Sequence, residues 1–144
     1  MSTHIKFLDL SVFYGSDKAL DEITMDIQQN EIFGIVGPAN SGKTTLLKTI
    51  NRTLDLIPGT RTLGEVSING ENVRNVRNVN HLRRRIGMVF PLPVGLPLTV
   101  FENVAYAPRR AGIHDKDTLD ELVERCLKQA VLWDEVKDLS LIHI

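Results

Sequence analysis

From Ile5 to Tyr14 the apolar residues fall mostly on alternate positions, Ile5 and Phe7 and then Leu8, Leu10 and Val12, before the turn residues Gly15 and Ser16. That spacing predicts a half-buried strand. A second strand is expected from Ala19 to Ile27, closed by the polar turn Gln29, Asn30 and Glu31. Ile32, Phe33, Gly34, Ile35 and Val36 then form an unbroken apolar run. Runs of this kind belong to strands covered on both faces, so this is the expected central strand. Lys43 to about Leu54 is read as a helix, with Leu46, Leu47 and Ile50 at helical spacing.

Pro58 and Gly59 break the chain, Gly64 opens a strand through Val66 and Ile68, and Asn69-Gly70 signals a tight turn. A short helix is expected over Asn80 to Arg85 and a second apolar strand over Ile86 to Phe90. Pro91, Pro93 and Pro97 end that strand, because proline donates no ladder hydrogen bond. Thr99 with Glu102 three residues on is a capping-box pattern and predicts a helix through Val104 and Tyr106 to Pro108. The last element expected is an amphipathic helix from about Lys116 to Trp133, its apolar face carrying Leu119, Leu122, Val123, Cys126, Leu127, Ala130 and Val131.

Composition narrows the partners. The chain has 144 residues, 42% of them hydrophobic, which suits one modest core. Its 17 basic and 18 acidic side chains leave a formal net charge of -1, so no overall positive field would hold it on nucleic acid, and none is expected as a partner. The acid-free stretch between Glu71 and Glu102 contains Arg74, Arg77, Arg83, Arg84 and Arg85, read as a solvated surface around the short helix. Cys126 is the single cysteine, which excludes an internal disulfide. It is read as a small buried apolar residue, and His4, His81, His114 and His143 show no metal-ligand spacing with it. No apolar stretch has the length of a signal-peptide core or a membrane span, so a soluble, cytoplasmic chain is expected.

The chemistry gathers at Gly37-Pro38-Ala39-Asn40-Ser41-Gly42-Lys43-Thr44, which fits G-x-x-x-x-G-K-[ST] between an expected buried strand and a helix start. Glycines let the backbone turn tightly against phosphate, so that successive N–H groups and the positive end of the helix face the anion. Lys43 is expected to reach the β- and γ-phosphates, and the Thr44 hydroxyl to ligate the Mg²⁺ bridging them. Nucleotide binding is the function these residues imply, with Thr45 next in the helix. Tyr14, at the end of the first strand, either stacks on a base, worth ~1 to 3 kcal/mol, or packs at a rim.

Phe13-Tyr14-Gly15, the loop from Gly37 to Thr44, Gly64-Glu65-Val66 with Asn69-Gly70, and Ile86-Gly87-Met88-Val89-Phe90 together resemble an ABC-transporter ATPase over about residues 4 to 138. The linker from Asp55 to Leu63, the stretch from Leu96 to Pro108 with Glu102-Asn103-Val104-Ala105-Tyr106, and Lys128-Gln129-Ala130-Val131-Leu132-Trp133 look like the phosphate-import members. The resemblance implies an α/β fold: a P-loop (RecA-like) cassette portion over residues 1–138, with an N-terminal antiparallel β part and the start of the helical subdomain. Residues 139–144 no longer resemble the family and are read as a tail that need not be native.

Under the resemblance Tyr14 matches the aromatic that stacks on adenine and Gly37 to Thr45 the Walker A loop that takes ATP and Mg²⁺. The loop after Phe90 matches the Q-loop, which couples nucleotide to the permease. Pro91 stands where the family has a glutamine, and it offers neither a side-chain oxygen nor an N–H. The LSGGQ-type signature, Walker B aspartate, catalytic glutamate and switch histidine have no counterpart among these residues, so no catalytic residue is assigned and little hydrolysis is expected of them alone. The intact form is expected to hydrolyse ATP and import inorganic phosphate, paired with a second ATPase subunit and with permease subunits at the cytoplasmic face of the membrane. The alternatives are a non-catalytic nucleotide-binding module and a cassette for another cargo.

Overall fold

The structure, a computed structural model, describes residues 2–92 and 94–137. The expectation for the tail at 139–144 lies outside them. Two compact units divide the chain, one from Met1 to Met88 and one from Val89 onward.

The first unit is built on an antiparallel sheet. β1 (Thr3–Tyr14) lies between β2 (Asp17–Gln28) and β3 (Thr60–Ile68), and the two-residue β4 (Glu71–Asn72) pairs with β3. Asn69 and Gly70 both have positive φ, the requirement of the two-residue turn that joins β3 to β4. The register of β1 breaks after Leu8, so Phe7 faces inward at an odd position while Leu10 and Val12 face inward at even ones. A bulge at Asp9, with φ of 48°, resets the phase and accounts for the doubled apolar pair Phe7-Leu8 in an otherwise alternating strand. Gly64 sits against this bulge, where a Cβ would lie 2.2 Å from the Asp9 carbonyl oxygen, so only glycine fits.

Helix α1 (Lys43–Ile50) lays Leu46 and Ile50 into a core shared with Phe7, Leu10, Val12, Leu20, Val66 and Ile68 of the sheet. It is shorter than the stretch expected to Leu54: a 3-10 turn from Thr53 to Leu56 follows, entered through Arg52 in the left-handed conformation. Helix α2 (Val79–Arg85) closes this core with Leu82 and is capped by the Asn78 side chain, which accepts from the His81 N–H.

Two expectations fail here. Ile32 to Val36 is not a strand: Ile32 and Val36 are almost wholly exposed and the segment pairs with nothing in the described sheet. Ile86 to Phe90 likewise joins no ladder, and Val89 is 96% exposed. A strand covered on both faces needs hydrogen-bonded neighbours as well as an apolar sequence, and the described strands supply none for either run. The arginine cluster also departs from a simple solvated surface. Arg83 donates to the Asn51 and Arg52 carbonyls at 3.2 and 2.8 Å, and Arg74 donates to the Thr62 carbonyl.

The second unit contains α3 (Val100–Arg110), α4 (Lys116–Gln129) and a single turn, α5 (Trp133–Val136). Ala105, Leu119, Val123 and Leu127 form its core. Thr99 caps α3 by accepting from the Glu102 N–H at 3.0 Å, while the Glu102 carboxylate pairs with Arg109. The helix runs past Pro108 to Arg110, because a proline in the last turn removes a single ladder bond and the Ala111 N–H still reaches the Ala107 carbonyl. The expected final helix stops at Gln129, earlier than Trp133. Val131 turns left-handed there, its N–H donating to the Lys128 carbonyl and that of Leu132 to the Leu127 carbonyl, the paired closure of a Schellman end. Ala130 and Val131 are therefore exposed, and Cys126 is half-buried.

Candidate functional site

Tyr14, Ala19, Asn40, Ser41, Gly42, Lys43, Thr44 and Thr45 line one open cleft of about 320 Å³ in the first unit. Three elements converge on it: the end of β1, the start of β2 and the loop entering α1. Gly42 is the first residue before the helix, at φ of 86°. A Cβ there would stand 2.6 Å from the Ala19 carbonyl oxygen and 2.7 Å from the Leu20 side chain, so glycine lets the loop press against β2. The same seating aims the start of α1 into the cleft. The first N–H groups of a helix have no acceptor within it, and no acidic side chain occupies the first turn of α1. An anion is the natural occupant of such an end.

Lys43 folds back over its own loop, donating to the carbonyls of Gly37 at 2.9 Å and Pro38 and to the Ser41 hydroxyl at 3.2 Å. The ammonium thus has acceptors in the loop that a phosphate oxygen can replace. Thr44 is exposed at the helix start. The Tyr14 hydroxyl lies 3.2 Å from that of Thr45, which ties the end of β1 to the first turn of α1 across 31 residues of sequence. Of the residues singled out from the sequence, Pro38 and Ala39 do not line the cleft, and Gly37 stands beside Ser41, where an added Cβ would be 3.0 Å from its hydroxyl.

One lining residue was missed in the sequence. Ala19 enters the cleft because β2 crosses beneath Gly42, a tertiary contact that leaves no motif. In the second unit Asn103 organises the stretch that enters α3: its side chain accepts from the Leu96 N–H at 2.7 Å and donates to the carbonyls of Leu96, Leu98 and Thr99. An asparagine just inside a helix, after a proline-rich stretch, is the signal that could have found it. Pro91 itself is exposed in a bend.

Among the described residues no group of three His, Cys, Asp or Glu side chains could hold a metal ion. The oxygens at the cleft are neutral, those of Asn40, Ser41, Thr44 and Thr45 among them, and the Thr44 hydroxyl at the helix start fits an ion such as Mg²⁺ that keeps its waters and is otherwise held by phosphate.

A glycine-seated loop, a lysine over it and a helix start free of acid define a phosphate-gripping loop of the kind found in proteins that bind nucleoside triphosphates. The ABC transporter family model matches residues 20–141, and the chain belongs to the ABC transporter family as an ATP-binding cassette with the P-loop fold. Domains of this family bind ATP, generally with Mg²⁺, and generally dimerise and partner with permease subunits. No helix among the described residues is long and apolar enough to cross a membrane.

Proposed function

We propose that the cleft takes Mg-ATP, with the loop from Gly37 to Thr45 around the phosphates and Tyr14 on the adenine, and that the cassette drives import of inorganic phosphate. The observation that carries the nucleotide half is the meeting of Tyr14 with Asn40 to Thr45 in one cleft, an aromatic ring at one side and the helix start at the other. Lys43 exchanges its loop carbonyls for β- and γ-phosphate oxygens, a trade of neutral acceptors for charged ones, which make stronger hydrogen bonds. Gly42 keeps the backbone close enough for the N–H groups to point at the anion, and Thr44 contributes one oxygen to the ion. The bound Mg-ATP supplies the phosphoryl bond whose hydrolysis powers transport.

Phosphate as cargo rests on the likeness of Asp55 to Leu63, Glu102 to Tyr106 and Lys128 to Trp133 to phosphate-import cassettes, since the permease and not the cassette selects what is moved. In that setting the cassette works at the cytoplasmic face of the membrane, against permease subunits and a second ATPase subunit. Replacing Lys43 by Ala at the chromosomal locus should abolish high-affinity uptake of radiolabelled phosphate while leaving sugar and sulfate uptake intact. Undiminished phosphate uptake would exclude this cargo.

A further inference from the structure

We propose that Arg83 is a positioning residue for the phosphate-gripping helix: by holding the far end of α1 it sets how the N–H groups at the near end meet the phosphates; this rests on the nucleotide reading above. α1 is eight residues long. At its start Gly42 presses on β2, and along its side Leu46 and Ile50 lie in the core. A close seat limits approach without fixing a position, and apolar burial has no direction. Both keep the helix on the sheet and leave it free to slide or roll by a fraction of an ångström. Hydrogen bonds do have direction, and at the end of α1 they come from charged donors.

Arg83, on α2, donates through Nε to the Asn51 carbonyl at 3.2 Å and through Nη2 to the Arg52 carbonyl at 2.8 Å. These are the first two carbonyls after α1, where the negative end of a helix favours a cation and a charged donor makes the stronger bond. Both sides of the contact are anchored. Asn51 is buried, with its side-chain oxygen accepting from the Thr53 N–H at 3.1 Å, and Arg52 donates to the Val73 and Val76 carbonyls at 3.4 and 3.2 Å. α2 is pinned by Leu82, buried in the core, and by its Asn78 cap. The next arginine, Arg84, makes no hydrogen bond or ion pair among the described residues. The planar fork of Arg83 thus grips one end of α1 while the phosphates are to be gripped by the other.

Equilibrium binding of ATP and of inorganic tripolyphosphate, each with Mg²⁺, separates this role from a merely structural one. The full chain is compared with Arg83→Met, which keeps the stem and removes the donors, and with Arg84→Met, which removes the same charge one residue on. Each is measured where circular dichroism shows it fully folded. Arg83→Met should weaken both ligands by the same factor, about two- to thirty-fold, the range for residues that act on a site through packed structure. Arg84→Met should bind both as the parent does. In the ligand-free chain the backbone amide resonances of Lys43, Thr44 and Thr45 should move in Arg83→Met and stay in place in Arg84→Met. A lowered denaturation midpoint with parent-like affinity would make Arg83 a stabilising residue alone and overturn the proposal. Equal losses in the two variants, or a loss confined to ATP, would overturn it as well. If Arg83→Met does not fold, Arg83→Lys, which keeps the charge without the fork, carries the same test with a smaller expected loss. Failure of the underlying nucleotide reading looks different: the parent then binds neither ligand, or Lys43→Ala leaves both unaffected, and the positioning role falls with it.

Discussion

Gly42 and Lys43 show how single residues shape the cleft. At φ of 86° with the Ala19 carbonyl 2.6 Å from where a Cβ would stand, Gly42 tolerates no side chain. Gly42→Ala should destabilise the chain by about 1–3 kcal/mol, the range for a strained backbone conformation, and should weaken nucleotide binding with it. Urea denaturation checks the first and ATP titration the second; a variant with the parent's midpoint would show that the loop moves freely off β2. Lys43 is different in kind, because its partners are its own loop's carbonyls. Lys43→Ala removes an exposed contact and should leave the denaturation midpoint close to the parent's while binding is lost.

At the scale of elements, the helix ends carry the testable chemistry. Asp115 caps α4 by accepting from the side-chain hydroxyl and the N–H of Thr118, and these bonds hold its carboxyl below the ordinary 3.8. A depressed carboxyl contributes stability that is present above its unfolded value and disappears as pH falls through the folded one. Protection from amide exchange in the first turn of α4, taken relative to the intrinsic rate at each pH, should therefore fall in acid, below the ordinary carboxylate range, and Asp115→Asn should remove that loss while keeping an acceptor at the cap. Protection that stays constant through the acid range in the parent would contradict the capping role. At the other end Val131 is β-branched and left-handed, a conformation costing about 1–2 kcal/mol that glycine avoids. Val131→Gly should raise the stability of the α3–α4 unit by up to about 1 kcal/mol, after the greater freedom of glycine in the unfolded chain is offset.

These ends also show what was legible in the sequence. Thr99 as a cap and Asn69-Gly70 as a tight turn were readable because each is decided by residues three or fewer apart. The loop from Gly37 to Thr44 carries a contiguous eight-residue pattern, so its shape is also marked locally in the chain. The stop of α4 at Gln129 was not, since the apolar spacing runs on through Val131 and nothing local marks a left-handed valine. The apolar runs at Ile32 to Val36 and Ile86 to Phe90 read as strands because hydropathy reports what a segment can bury, while pairing depends on partners elsewhere in the chain.

Over the whole molecule, the described residues form two packed units whose junction follows Met88. From Val89 to Leu98 every described residue is exposed, and Asn103 is the side chain that holds the end of this stretch. Limited proteolysis with thermolysin should cut first between residues 89 and 98 and release two fragments dividing there. Asn103→Ala should speed that cut without changing the cleft around Lys43.

Everything proposed for this chain requires the cleft between Tyr14 and the Gly37 to Thr45 loop to be a working nucleotide site. Equilibrium binding of a fluorescent ATP analogue with Mg²⁺, on the parent chain and on folded Lys43→Ala and Tyr14→Ala variants, tests it directly. Saturable binding weakened by both substitutions is the predicted result, Lys43 through the phosphates and Tyr14 through the base. A folded parent that does not bind the analogue, or binding indifferent to both changes, would contradict it.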